Sequence, residues 1–134
     1  MEFFIPMKKI PTVTHQQKQV AVINGKPRFY EPDALVLARQ QFMTLFSKHV
    51  PPDPFTGPIS LITKWCYPTK AKKYKDGDWK ITKPDTDNLI KLPKDCMTAL
   101  KFWTDDAIIA SETIQKFWVT DSPGGIYVRI EVLS

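Results

Sequence analysis

Apolar positions change their spacing several times along the 134 residues, and each change marks an element. The opening "EFFIPM" (2–7) is a short, Phe-rich apolar run that suits a strand. In "QVAVINGKPRFYEP", Val20, Val22 and Ile23 form one arm of a predicted hairpin, Asn24-Gly25 its turn, and Arg28 to Tyr30 the return. The polar "PTVTHQQK" before it is a linker. From Pro32 to about His49 the spacing becomes helical, with Leu35, Ala38, Phe42, Leu45 and Phe46 recurring at three and four. Pro32 suits a first helical position, and Pro51, Pro52 and Pro54 close the helix.

The β-branched and aromatic bias of "PISLITKWCYP" (58–68) predicts a strand. A lysine-rich loop follows, with Asp76-Gly77 as its turn. A second helix is predicted over roughly 87–101, with Leu89, Leu92, Cys96 and Leu100 as its apolar stripe. Asp87, Lys91 and Asp95 fall four apart on another face. Pro93 lies inside this span, where a proline costs roughly 3 kcal/mol, so a kink or a restart at Pro93 is expected. Strands at about 107–119 and 126–133 end the chain, broken by "DSPGG". This order predicts an α+β (mixed α/β) domain over residues 1–134, a small mixed β-sheet carrying two main helices.

Composition narrows the function classes. No run approaches the ~18 apolar residues of a membrane span. The first residues lack the basic leader and cleavage site of a signal peptide. Cys66 and Cys96 stand thirty residues apart, and His15 and His49 are isolated, so neither a disulfide framework nor a Cys/His metal site is expected. A cytoplasmic protein with reduced thiols fits these features. Nineteen Lys and Arg against fourteen Asp and Glu give a net charge of +5, which suits a polyanionic partner. Seven lysines fall between Lys64 and Lys83, interleaved with Trp65, Tyr67, Tyr74 and Trp79. Lys70, Lys72, Lys73, Lys75, Lys80 and Lys83 are the candidate phosphate contacts, and the rings could stack on unpaired bases. The alternative is a solvated loop whose aromatic residues are anchored in the core.

Against this basic background, five of the fourteen acidic residues gather in "KPDTDNLIKLPKDCMTALKFWTDD" (83–106). In an extended stretch Asp85 and Asp87 point the same way. Each also has an ordinary role, Asp85 as a helix cap and Asp87 at the positive end of the helix dipole. If the strand after Asp105-Asp106 doubles back along the helix, a third carboxylate joins them, and only one of that pair need do so. Three carboxylates in one site repel unless a cation or a proton intervenes. Oxygen-only ligands point to Mg2+, with Mn2+ possible. Lys91 could be a helix partner of Asp87 or could offset charge at a reacting phosphate.

"PDTDNLIK", "KDCMTAL" and "FWTDDAII", in this order, closely resemble the signature of the RusA family of Holliday junction resolvases. The resemblance is dense over 83–110 and extends loosely to the opening strand, the central helix and the closing strand. It implies a RusA-like fold in which Asp85, Asp87 and Asp106 bind Mg2+ and Lys91 assists catalysis. It also implies a homodimeric endonuclease, free of small-molecule cofactors, that nicks two opposed strands of a four-way DNA junction. The chain departs from the family pattern just before the first Asp. Basic residues are usual there, whereas here Pro84 intervenes, with Lys83 and Lys80 behind it. The competing readings are a junction-binding module that does not cut, and a less selective metal-dependent DNase of the same fold.

Overall fold

A computed structural model describes residues 1–11, 19–23, 26–30 and 33–134. Four strands form a mixed sheet: β1 (Glu2–Pro6), β4 (Ile59–Pro68), β5 (Ile109–Val119) and β6 (Gly125–Val132), in spatial order β1-β6-β4-β5. β6 runs antiparallel to both β1 and β4, whereas β4 and β5 are parallel. Strands β2 (Gln19–Ile23) and β3 (Lys26–Tyr30) pair antiparallel as a separate hairpin. The helices are α1 (Asp33–Ser47) and α2 (Thr86–Ala99). The α+β architecture therefore matches the sequence reading. The expected turn at Asn24-Gly25, the helical start at Pro32 and most of the polar linker lie outside the described residues.

Alternation along β4 places Ile59, Leu61, Thr63, Trp65 and Tyr67 on a buried face. Helix α1 covers this face with Leu35, Ala38, Phe42 and Phe46, and β6 contributes Ile126, Val128 and Ile130 to the same core. Helix α2 adds Leu89, Ile90, Leu92, Cys96 and Met97, and Phe102 and Trp103 close the layer behind it. The indole Nε1 of Trp103 donates to Thr98 Oγ1 at 2.7 Å, so a fully buried tryptophan keeps a polar partner. Where β6 begins against β1, Gly125 has φ 145°, and a Cβ there would lie 2.1 Å from the Ile5 carbonyl oxygen. Only glycine allows that approach.

Pro93 does not restart the helix: α2 runs through it from Thr86 to Ala99. Pro93 forfeits one backbone hydrogen bond, but it is buried together with Ile90, Leu92, Cys96 and Met97. Packing of that apolar face sustains the turn that propensity would break. The second departure lies beyond α2. The predicted strand at 107 begins instead with a single 3-10 turn, Asp106–Ile108, before β5 starts at Ile109.

Candidate active site and nucleic-acid interface

Helix α2 presents the first carboxylates. Asp85 occupies the N-cap position with extended backbone (φ −72°, ψ 149°), yet its side chain makes no capping hydrogen bond. Its carboxylate instead receives Lys83 Nζ at 2.9 and 3.0 Å. With Lys83 84% and Asp85 52% exposed, this ion pair is weak and readily exchanged. Asp87 is exposed in the first turn of α2. No ion pair joins it to the half-buried Lys91 among the described residues.

After α2 the chain reverses. Leu100 and Lys101 donate backbone N–H groups to Cys96 and Thr98, and Phe102 N–H donates to the Met97 carbonyl. Lys101 takes the left-handed conformation (φ 70°) that such a helix end requires. Phe55 then brackets the returning strand, donating to the Phe102 carbonyl at 2.9 Å and accepting from Thr104 N–H at 3.0 Å. The 3-10 turn that follows lies against α2. Within it the two neighbouring aspartates differ. Asp105 Oδ1 accepts from Ala107 N–H at 2.8 Å and caps the turn, whereas Asp106 is exposed and is given no such structural task.

Asp85 and Asp87 are therefore exposed carboxylates at the start of α2, and Asp106 is an exposed carboxylate in the 3-10 turn that follows its far end; the described chain does not gather all three into one group. Among the described residues, no three His, Cys, Asp or Glu side chains form a ready cage for a metal ion. The donor set still suits Mg2+. That ion retains several waters and is commonly held by one or two carboxylates together with substrate phosphates, rather than by an all-protein cage.

Behind Asp85 stand two lysines that sequence reasoning did not assign to this task. Lys80 was expected to contact DNA, but its residue is only 7% exposed. Its ammonium lies 4.2 Å from the Trp118 ring centroid and 5.1 Å from that of Tyr67, and it donates to Thr82 Oγ1 and to the Lys83 carbonyl at 2.7 Å. Burial, and then the nearby charge of Lys116, lower its pKa. Lys116 Nζ, from β5, donates at 2.7 Å to the carbonyls of both Thr82 and Pro84. The three carbonyls leading into Asp85 are thus held by two ammonium groups. No spacing signal marks Lys116, because its partners are backbone atoms more than thirty residues away.

The lysine-rich segment is held in place as well. Asp76 Oδ1 accepts the backbone N–H groups of Thr120, Asp121 and Ser122 at 2.7–3.1 Å, and Oδ2 accepts the Ser122 hydroxyl at 2.6 Å. These bonds, the Ser122 hydroxyl foremost, drive the Asp76 pKa far below the ordinary carboxylate range. Gly77 (φ 90°) makes the expected turn, and Tyr74 stacks on Trp118 with centroids 4.6 Å apart. Lys70, Lys72, Lys73, Lys75 and Lys83 remain exposed around this anchor. Tyr67 and Tyr74 thus brace the segment, as the second reading of it expects, while its lysines other than Lys80 stand exposed.

A family model described as Endodeoxyribonuclease RusA matches residues 9–131. This chain belongs to the RusA endodeoxyribonuclease family. It is 33% identical over 131 residues to the Crossover junction endodeoxyribonuclease rusA of Lactococcus phage r1t, covering 96% of this chain and 95% of the phage protein. It is also 29% identical over 123 residues to the Uncharacterized protein YqaN of Bacillus subtilis (strain 168), covering 84% of this chain and 82% of that protein. Among the described residues, no helix of this RusA-family nuclease is long and apolar enough to cross a membrane.

Proposed function

We propose that this RusA-family protein is a Mg2+-dependent endonuclease that resolves four-way DNA junctions by paired nicks, acting as a homodimer in recombination and repair. The observation that carries the reading is family membership over residues 9–131, and the exposure of Asp85, Asp87 and Asp106 supports it. The likeness to a phage crossover junction enzyme over nearly its whole length supports the choice of substrate.

In this reading Asp85, Asp87 and Asp106 hold the divalent cation Mg2+, for which Mn2+ could substitute. When bound, that ion activates water and offsets charge at the phosphate under attack. The residues of the chain do the rest. Lys80 and Lys116 fix the peptides that aim Asp85. Lys83, only weakly paired with Asp85, would be available to a DNA phosphate were that carboxylate to hold the cation. Lys91, half-buried one turn beyond Asp87, offsets charge on the reacting phosphate or the leaving oxygen. Lys70, Lys72, Lys73 and Lys75 neutralise phosphates along the arms. Two opposed cuts on a symmetric junction call for a two-fold dimer.

A synthetic four-way junction, compared with a linear duplex of the same sequence with and without Mg2+, tests the reading. Symmetric nicking of the junction alone, in Mg2+ alone, is expected. Junction binding without cutting would instead identify a recognition module, and equal cutting of both substrates a less selective DNase.

A further inference from the structure

The residues between the lysine-rich segment and Asp85 alternate sharply in exposure. Trp79 is 61% exposed and Ile81 90%, while Lys80 between them is buried. The cause lies in how the segment pairs. Lys80 N–H donates to the Lys116 carbonyl, and Trp79 bridges antiparallel to Phe117, so residues 77–80 extend along the open edge of β5. In such a ribbon, neighbours point to opposite faces. Lys80 shares the inner face with Trp118 and Lys116, where rings and carbonyls hold its ammonium. Trp79 and Ile81 are driven to the outer face. There Trp79 leans on Phe117 with ring centroids 4.7 Å apart and planes 30° apart.

Two large apolar side chains held in water on a pinned backbone are costly. They end at most ~14 Å of chain from Asp85, since only Thr82, Lys83 and Pro84 separate Ile81 from it. Lys83 lies between them and the carboxylate, and Lys75 precedes them, so the apolar surface is bordered by cations. A protein partner would have no need of that border, whereas nucleic acid offers phosphates to the lysines and a base face to the indole. Paired duplex hides its base faces. The branch point of a junction is where stacking is interrupted and opening a step costs least.

We propose that Trp79 and Ile81 form a wedge that enters the branch point, Trp79 stacking on a base left unstacked there and Ile81 filling the opened step. This rests on the junction-resolving reading and supplies it with a selectivity element: lysines bind any DNA, but the wedge finds room only at a discontinuity. The buried Lys80 is its mounting pin.

The test places 2-aminopurine beside the branch point of a synthetic junction and, separately, inside the matching duplex. Full-length protein carrying Asp106→Asn, which keeps the DNA uncut, should raise the fluorescence of the junction probe and leave the duplex probe dark. Adding Trp79→Ala with Ile81→Ser should abolish the rise and lower junction affinity by about five- to a hundredfold, as loss of one stacked base would. Duplex affinity should stay unchanged. Trp79→Phe, which keeps a ring, should restore most of the signal. An undiminished rise in the double variant, while the wild-type chain still cuts junctions, overturns the wedge and leaves the proposed function standing. Loss of self-association in the double variant, with the rise intact, would assign the surface to a second copy of this chain instead. A wild-type chain that neither prefers nor cuts junctions overturns both.

Discussion

Lys116 donates its ammonium to the Pro84 carbonyl at 2.7 Å, so a side chain in the middle of an edge strand grips the peptide immediately before Asp85. The same ammonium takes the Thr82 carbonyl, and Lys80 takes the Lys83 carbonyl between them. Three consecutive carbonyls are thereby held by side-chain ammonium groups. The direction in which Asp85 leaves the backbone is set by charge-assisted hydrogen bonds. The cost of this arrangement is the burial of one ammonium and then its proximity to a second, and both lower the pKa of Lys80.

Lys116→Met and Lys80→Met should therefore act on cleavage rather than on attraction to DNA. Misplacing a ligand by about 1 Å can cost ~10²-fold in rate, and a loss of that order is expected for junction cleavage at saturating DNA. The slope of log affinity against log salt should not change for Lys80→Met, because its ammonium is sequestered. A raised Mg2+ requirement, read by metal titration of cleavage, would accompany displaced Asp85. Unchanged cleavage in both variants would show that the brace does not govern Asp85.

The exposed lysines should behave in the opposite way. Replacing Lys72, Lys73 and Lys75 together should weaken binding to junction and duplex alike. The salt slope should fall by about 0.9 for each phosphate that these ammonium groups no longer neutralise. Cleavage at saturating DNA should persist. An unaltered slope, measured by anisotropy across salt concentrations, would remove this segment from the DNA surface.

Asp105 and Asp106 separate by role. Asp106→Asn keeps the shape but removes a charged ligand, so cleavage should collapse while junction binding survives or tightens. Asp105→Ala removes the cap on Ala107 N–H and should cost ~1 kcal/mol of stability, with cleavage largely retained. Thermal melts and single-turnover cleavage on the two variants read the difference. Normal cutting by Asp106→Asn would return the assignment to its neighbour.

Asp76 gives the segment a dependence on acid. Its folded pKa is depressed by four hydrogen bonds to Thr120, Asp121 and Ser122, so the ionised form is the one that stabilises the fold. That contribution is complete above the ordinary carboxylate pKa of about 3.9 and is lost as pH falls below it towards the folded value. Asp76→Ala should lower stability at neutral pH and reduce the loss seen on acidification, measured by denaturant melts at several pH values. It also raises net positive charge, which by itself favours DNA. A fall in DNA affinity would then report loss of order in the lysine-rich segment, whereas a rise would mean that charge alone governs binding there.

Much of the fold was legible because it depends on local pattern. The β-branched and aromatic bias of "PISLITKWCYP" specified a strand, and three-and-four spacing specified both helices within a residue or two. Of the kink or restart expected at Pro93, the restart does not occur, because burial of Ile90, Leu92 and Met97 against elements distant in the chain supports the helix there. Lys80 was misread for a similar reason: a lysine among lysines resembles a phosphate contact until the rings of Tyr67 and Trp118 are seen to enclose it.

Residue order alone determined which groups are present and which faces they take: a basic chain, a block of aspartates at the ends of an amphipathic helix, and the motifs of a nuclease family. Tertiary structure decided what each charged group is free to do. It turned Asp76 and Asp105 into backbone anchors, buried Lys80, recruited Lys116, and left Asp85, Asp87, Asp106 and Trp79 facing solvent. The physical reason is that spacing sets direction only over a few residues. Whether a charge is spent on a carbonyl, a ring or water depends on neighbours that the chain delivers from far away.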